Sequence, residues 1–166
     1  ALAGEALGID AETISEAVNN FAGLEHRLQF AGEFNDVAYY NDSISTVPDT
    51  TIAAIDSFDK PIHLLLGGSD KGLSYEDMVK EILQKDNIAS ITFLGEIGGN
   101  IKSLFEAANT SIPLLGPYED LSLAINEIKE RAQAGEIVLL SPASASFDMF
   151  KNYAERGRKF VELVSS

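Results

Sequence analysis

The sequence predicts an α/β fold that is Rossmann-like and doubly wound, with a mainly parallel six-stranded sheet, one antiparallel edge strand and helices on both faces. The first indication is a repeated alternation of short apolar runs with segments of helical periodicity. The second is a pair of strand-like runs joined at Asn35-Asp36, residue types that tolerate the positive φ of a tight hairpin. The predicted strands are residues 28–34, 37–41, 62–66, 89–94, 112–115 and 136–140.

Helical segments follow the later strands one by one, a pattern typical of right-handed crossovers between parallel strands. In such sheets ligands bind beyond the carboxyl ends of the strands, so the loops at that edge are the candidates for function. The predicted helices of this repeating part are residues 48–58, 74–84, 100–108, 118–134 and 147–164.

The beginning of the chain differs from the repeating part. It is already in helical register, and Asp10 and Thr13 are start signals for a second helix that ends near Asn20. We therefore expect residues 1–25 to be the helical tail of a preceding domain and residues 26–166 to form one α/β domain.

The composition of the chain limits the kinds of molecule to which it is expected to bind. The chain has 12 basic and 26 acidic residues, a net charge of −14, which argues against a nucleic-acid surface. No cysteine is present, so disulfides and thiolate metal sites are excluded, and His26 and His63 lack partners at ligand spacing. No metal site is expected. No apolar run approaches the roughly 20 residues that span a bilayer, and we expect a cytoplasmic protein without membrane partners.

A loop of small residues follows the last predicted strand, in the segment SPASASFDMFKNYAERGRKF at 141–160. Small side chains let a ligand approach the backbone, and free N–H groups in the first turn of a helix can donate to an anion. Ser144 and Ser146 add hydroxyl groups at the same place. A helix that is simply capped by serine accounts for the same pattern.

The run SPASASFDMFKNYAERG resembles the last motif of the Mur ligases, specifically those that add D-glutamate to the peptidoglycan precursor. The match is long and has no gaps. The resemblance implies that Ser146 and the backbone N–H of Phe147 hold one carboxylate of glutamate. It also implies that Tyr153, which replaces the phenylalanine of some members, packs against the ligand.

The loop after the second strand reads NDSIST, with Pro48 opening the next helix. An ordinary strand-to-helix turn explains these residue types. The segment NDSISTVPDTTIAAI is also similar to the NDS-x-A-T-x-P segment of the ligases, which implies that Asp42 serves the nucleotide and Thr46 touches the incoming glutamate. Ile44 stands where many members carry lysine, a departure that removes a charge from this position.

The loop after the third strand is Gly67-Gly-Ser-Asp-Lys-Gly72. Lysine side chains are usually exposed, so an ordinary lysine in a flexible loop explains this residue equally well. The order Lys-Gly is not that of a P-loop, which requires Gly-Lys-Ser/Thr. The loop resembles the GG-x-x-K-G loop of the family, whose lysine pairs with a substrate carboxylate, and this role falls on Lys71. A charged hydrogen bond of this kind contributes about 1.5–3 kcal/mol.

The resemblance extends to the His-Arg pair at the junction, where Arg27 takes the place of an arginine that packs on the nucleotide. It implies ATP-dependent amide formation through an acyl phosphate. Residues 1–25 would then be the tail of a central ATPase domain and residues 26–166 the C-terminal Mur ligase domain. The precursor UDP-N-acetylmuramoyl-L-alanine and magnesium would be held by the other domains. No catalytic residue is expected in this chain, which should be inactive alone because it has no P-loop.

Two alternatives compete with this interpretation. A sister Mur ligase or a folylpolyglutamate synthase would share the fold but carries different motifs in place of NDSIST and SPASASFDMF. A non-catalytic flavodoxin-like module would bind FMN or phosphate at one loop and would not bind an amino acid.

Overall fold

The computed structural model describes residues 2–165 and is built around one six-stranded sheet with the strand order β1-β2-β6-β3-β4-β5. The β1–β2 pair is antiparallel and the four other pairings are parallel. The predicted mainly parallel sheet with an antiparallel edge strand is therefore confirmed. The strands are β1 (Gln29–Phe34), β2 (Val37–Asn41), β3 (Ile62–Gly67), β4 (Ile88–Leu94), β5 (Leu114–Tyr118) and β6 (Ile137–Leu140).

The hairpin between β1 and β2 forms where the sequence predicts it. Asn35 and Asp36 both have positive φ, 53° and 60°, and Phe34 pairs with Val37 across the two-residue turn. Two successive residues of positive φ match the twist of the flanking strands, and asparagine and aspartate adopt them at low cost.

Helices cover both faces of the sheet, and β3 shows how. Leu64 and Leu66 pack into a core with α3, α4 and α5, whereas Leu65 points to the other face and packs with α6 and α7. This alternation follows from the two-residue period of a strand, and it makes β3 a continuous apolar run. The helices are α1 (Leu2–Ala6), α2 (Ala11–Asn19), α3 (Pro48–Ile55), α4 (Glu76–Ile82), α5 (Gly95–Ala107), α6 (Leu121–Arg131) and α7 (Tyr153–Val164). None of those described is long and apolar enough to cross a bilayer.

The N-terminal helices stand apart from this core. Asp10 caps α2 by accepting a hydrogen bond from Thr13 N–H at 2.9 Å, as the sequence predicts. Neither α1 nor α2 contributes a buried residue, and Val18 and Phe21 are 60% and 65% exposed. That these helices belong to a preceding domain stays a prediction.

The last helix begins later than predicted, at Tyr153 rather than at residue 147. Ser146 O accepts hydrogen bonds from Met149 N–H at 3.2 Å and Phe150 N–H at 2.7 Å, which forms a separate turn. Asn152 then caps the helix by accepting from Glu155 N–H at 2.9 Å. The prediction was wrong because apolar residues at helical spacing continue through this turn.

Other boundaries also differ from the prediction: α3 ends at Ile55, and α6 spans Leu121–Arg131. The first turn of α5 begins at Gly95, in a stretch that local propensity favours as a loop. One amide of this turn, Glu96 N–H, donates to the carboxylate of Asp148, a residue distant in sequence, at 3.0 Å. Strand β5 lies two to three residues later than predicted, because Leu114 and Leu115 take the register positions opposite β4.

Candidate functional site

Three loops lie side by side at the carboxyl edge of the sheet, because β2, β6 and β3 are neighbours in the strand order. We name them the Asp42 loop (residues 42–46), the Lys71 loop (residues 68–72) and the Ser146 loop (residues 141–149). These are the loops that the sequence singles out, and the fold brings them together as expected.

Backbone hydrogen bonds join the Lys71 loop to the Ser146 loop. Gly67 N–H donates to Pro142 O at 2.8 Å, and Ser69 N–H donates to Ala145 O at 2.9 Å. Ser69 and Ala145 form an antiparallel bridge, although the strands that precede them are parallel. The two loops therefore cross as a short ladder and cannot move independently without losing these bonds.

Gly68 makes this close crossing possible. Its φ is 143°, and a Cβ atom there would lie 2.1 Å from Ala145 O and 2.7 Å from Ser144 Oγ. Glycine is the residue that combines this backbone conformation with such an approach.

The Asp42 loop is held from inside by its own carboxylate. Asp42 is 2% exposed; its Oδ1 accepts from Leu28 N–H at 3.1 Å, and its Oδ2 accepts from the hydroxyls of Ser45 and Ser141, the latter at 2.7 Å. Since Ser141 opens the Ser146 loop, Asp42 fixes one loop against the other. Both carboxylate oxygens are occupied by internal donors.

A buried arginine, Arg156 of α7, ties the same two loops together from below. Its guanidinium is fully buried and donates to Ser43 Oγ and Ser43 O at 2.9 Å, to Ser144 O at 3.0 Å and to Ala145 O at 3.2 Å. These acceptors are neutral, and no Asp or Glu within residues 2–165 forms an ion pair with this side chain.

Burial lowers the pKa of the Arg156 guanidinium to about 10, although the charge of Asp148 opposes the shift. The side chain therefore stays protonated near neutral pH. The guanidinium thus places one buried positive charge beside the Asp42 and Ser146 loops, at an edge that also carries the carboxylates of Asp42 and Asp148.

Sequence reasoning missed Arg156, and a signal for it exists. Arg156, Phe160 and Val164 are spaced by four residues and share the buried face of α7. A basic residue at a core position of an amphipathic helix must be satisfied internally, so it points to a buried polar network.

Two donors of the Ser146 loop, on Ser146 and Phe147, are unpaired among the described residues. Within the described chain, neither the Ser146 hydroxyl nor the Phe147 N–H has a hydrogen-bond partner. The Ser146 residue is 2% exposed, whereas the Phe147 side chain is 70% exposed. These donors are not the first turn of a helix, as predicted, but the corner of the turn that precedes α7.

Lys71 and Thr46 lie on the two neighbouring loops. Lys71 is exposed and forms no ion pair with any residue in the described part of the chain. Thr46 is half-buried and lies two residues before Pro48, the first residue of α3. The side chains are available at the edge where the sequence expects them, and the contacts with a ligand stay a prediction.

Of the His-Arg pair that precedes β1, His26 contacts the last residue of β2. His26 is buried, with Nδ1 2.9 Å from Asn41 Nδ2, and its Nε2 has no hydrogen-bond partner among the described residues. Burial lowers the pKa of His26, with Glu25 opposing the shift. Tyr153 meets the His26 ring edge-on at 6.0 Å and is 39% exposed, while Arg27 is exposed.

Metal-binding groups are not assembled at this edge. Within residues 2–165, no cluster of three or more histidine, aspartate or glutamate side chains is placed to hold a metal ion. The edge offers the Lys71 ammonium and the unpaired donors of Ser146 and Phe147, groups that can bind an anion, next to the internally bonded carboxylates of its loops.

The fold defines an α/β domain of the doubly wound class. The profile of the family "Mur ligase, glutamate ligase domain" matches residues 26–144, and the chain belongs to this family. The resemblance read from the motifs is thereby confirmed.

Curated relatives are similar in sequence to almost the whole of this chain. The UDP-N-acetylmuramoylalanine–D-glutamate ligase of Clostridium tetani is 40% identical over 157 residues, covering 92% of this chain. The enzyme of the same name from Alkaliphilus metalliredigens is 41% identical over 160 residues, covering 96%. This chain spans about a third of the length of each, 34%.

Solved structures show the same fold at low sequence identity. UDP-N-acetylmuramate-alanine ligase from Thermotoga maritima matches with a TM-score of 0.65 at 15% identity, over 99% of this chain and 35% of that one. The bifunctional folylpolyglutamate synthase/dihydrofolate synthase from Yersinia pestis matches with a TM-score of 0.62 at 12% identity, over 94% of this chain and 35% of that one. These likenesses confirm the predicted architecture.

Proposed function

We propose that this chain is the C-terminal, amino-acid-binding domain of a cytoplasmic ATP-dependent UDP-N-acetylmuramoyl-L-alanine:D-glutamate ligase of peptidoglycan synthesis. The observation that carries the proposal is the identity of about 40% along nearly the whole chain to ligases of that name. The loops at the carboxyl edge support it, because they leave cationic and N–H donors open where a small dianion would bind. Residues 1–25 would be the end of the central ATPase domain.

Three donors would hold the two carboxylates of D-glutamate. Lys71 would pair with one carboxylate, and the Ser146 hydroxyl with the Phe147 N–H would bind the other. None of these groups has a partner within the described chain, so binding a ligand requires no internal bond to break.

Four other residues would complete the pocket and one wall of the ATP site. Thr46 would touch glutamate and Tyr153 would pack against it. The exposed guanidinium of Arg27 suits stacking on the nucleotide base. Asp42 would serve the nucleotide by fixing its loop, since internal donors already occupy both of its oxygens.

ATP supplies the phosphoryl group that activates the carboxylate of the UDP-linked precursor. The role of this chain is to hold the amine of glutamate toward that carboxylate, so that one C–N bond forms as phosphate leaves. The sequence has no GxxxxGK[ST] motif and the described residues hold no metal cluster. The triphosphate and magnesium would therefore be held by the other domains, whose closure would exclude water.

Titration of the ¹⁵N-labelled chain with D-glutamate tests the proposal. We expect chemical-shift changes at residues of the Lys71 and Ser146 loops. The Kd should be near the millimolar scale, which corresponds to a binding free energy of roughly −4 kcal/mol. Lys71→Ala should weaken binding about tenfold or more, because it removes a charged hydrogen bond. Lys60→Ala is the matched control, since Lys60 is an exposed lysine before β3 at the opposite edge.

Equal Kd values for the unmodified chain and Lys71→Ala would remove Lys71 from the site. L-glutamate, FMN and inorganic phosphate, titrated in parallel, distinguish the alternatives. A stronger response to L-glutamate would favour a folylpolyglutamate synthase, and binding of FMN or phosphate without any amino acid would favour a flavodoxin-like module.

A further inference from the structure

Asp148 lies where the Ser146 loop, the Lys71 loop and the start of α5 meet. Its Oδ1 accepts from Ser69 Oγ at 3.1 Å, and its own N–H donates back to that hydroxyl at 2.7 Å. Its Oδ2 accepts from Glu96 N–H at 3.0 Å. One exposed aspartate thus contacts both neighbouring segments through side chain and backbone.

The contact continues to the residue beside Lys71. Glu96 Oε2 accepts from Asp70 N–H at 3.1 Å, and Asp70 Oδ1 accepts from Gly72 N–H at 2.7 Å. Hydrogen bonds therefore lead from Asp148 through Glu96 and Asp70 to the amides of Asp70 and Gly72, the residues on either side of Lys71.

Gly95 shows that this arrangement is closely fitted. A Cβ atom there would lie 2.0 Å from Asp148 Oδ2, and the φ of Gly95 is 61°. The carboxylate occupies the space that any other side chain at this position would need.

We propose that Asp148 is a positioning residue for glutamate, which sets the Lys71 ammonium against the open donors of Ser146 and Phe147. This inference rests on the proposed function. Asp148 does not itself touch the ligand, because its oxygens are engaged with Ser69 and Glu96. It acts by fixing the separation of two loops that each bind one carboxylate.

Asp120 provides a matched control for the stability that a helix cap contributes. It caps α6 by accepting from Ser122 N–H at 2.7 Å, as Asp148 accepts from the first turn of α5, and among the described residues it forms no hydrogen bond with the Lys71 or Ser146 loops. Asp148→Ala and Asp120→Ala should therefore lower the melting temperature by similar amounts.

In the ¹⁵N titration with D-glutamate, we expect Asp148→Ala to raise the Kd at least fivefold and Asp120→Ala to leave it within twofold. Asp148→Asn, which keeps one acceptor oxygen, should fall between. In a Lys71→Ala background the effect of Asp148→Ala should shrink below twofold, because the group that it positions is absent. An unchanged Kd in Asp148→Ala, or an equal rise in both capping variants, would overturn the proposal.

Amide hydrogen exchange without ligand separates this inference from the proposed function. Asp148→Ala should speed exchange at Glu96 and Asp70, and Asp120→Ala should not. If the unmodified chain fails to bind glutamate, the proposed function and the role of Asp148 toward glutamate both fall, while faster exchange would still show the coupling of the loops. Unchanged exchange at Asp70 in a chain that binds glutamate would overturn the Asp148 inference alone.

Discussion

At the amino edge of the sheet, polar groups form hydrogen bonds with one another. His63 Nδ1 lies 2.7 Å from Ser90 Oγ, its Nε2 lies 2.8 Å from Glu136 Oε2, and Gln133 N–H donates to the same carboxylate at 2.7 Å. At the carboxyl edge, by contrast, the Ser146 hydroxyl and the Phe147 N–H have no partner within residues 2–165.

The two edges also differ in how charge is balanced. His63 faces a carboxylate, whereas Arg156 is buried among neutral oxygens and no described carboxylate pairs with it. Polar groups that are bonded to one another stabilise the fold and have no free position for a ligand, whereas unpaired donors can bind an acceptor from outside. The candidate site thus differs from the amino edge in having hydrogen-bond donors without partners, and not in having more polar residues.

The largest effect should come from Arg156→Met. Loss of the guanidinium leaves the buried carbonyl groups of Ser43, Ser144 and Ala145 without their hydrogen-bond donor. The free energy of unfolding should therefore fall by about 4 kcal/mol. Urea denaturation measures it. Arg131→Met is the control, since Arg131 forms an exposed ion pair with Glu127 on α6, and it should cost less than about 0.5 kcal/mol. A cost below about 1 kcal/mol for Arg156→Met would break the contrast between the edges.

The next effect should come from Gly68→Ala, at about 3 kcal/mol, because the added methyl group meets Ala145 O in a backbone conformation that alanine avoids. Gly72→Ala is the matched control in the same loop. Gly72 has a φ of 67° but no atom within 4 Å of the added Cβ, so the cost should be about 1 kcal/mol. Equal melting temperatures for the two variants would mean that the loop crossing is not close-packed in solution.

The smallest effect should come from Glu136→Gln at the amino edge. Burial raises the pKa of Glu136, but hydrogen bonds from Gln133 N–H and His63 outweigh it and hold the pKa below its ordinary 4.5. The ionised form therefore stabilises the fold by about 1 kcal/mol above pH 5, and this contribution is lost as the pH falls through the lowered pKa.

Urea denaturation across pH 3 to 7 should show the difference between Glu136→Gln and the unmodified chain shrinking toward low pH. Glu130→Gln, an exposed glutamate on α6, should leave the profile unchanged. Glutamate binding at neutral pH should be the same in both variants. A weaker Kd in Glu136→Gln would mean that the amino edge also serves the ligand.

Local patterns predicted the strands, the Asn35-Asp36 hairpin and the loops at the carboxyl edge, because each depends on residues close in sequence. The start of α7 was misplaced, since Phe147 and Phe150 continue the helical spacing through a turn that is fixed by the Ser146 carbonyl. The first turn of α5 could not be read locally, because its cap, Asp148, lies 52 residues away. Such long-range bonds leave no periodic signal in the sequence.

Strand order has a consequence for biosynthesis. Among residues 2–165 β6 comes last in sequence, yet it lies between β2 and β3 and joins the β1–β2 hairpin to the β3-β4-β5 part of the sheet. The Ser146 loop follows it directly. A nascent chain that stops before residue 137 would therefore lack both the strand that joins the two parts of the sheet and the Ser146 loop, and the sheet and this loop would be completed together during synthesis.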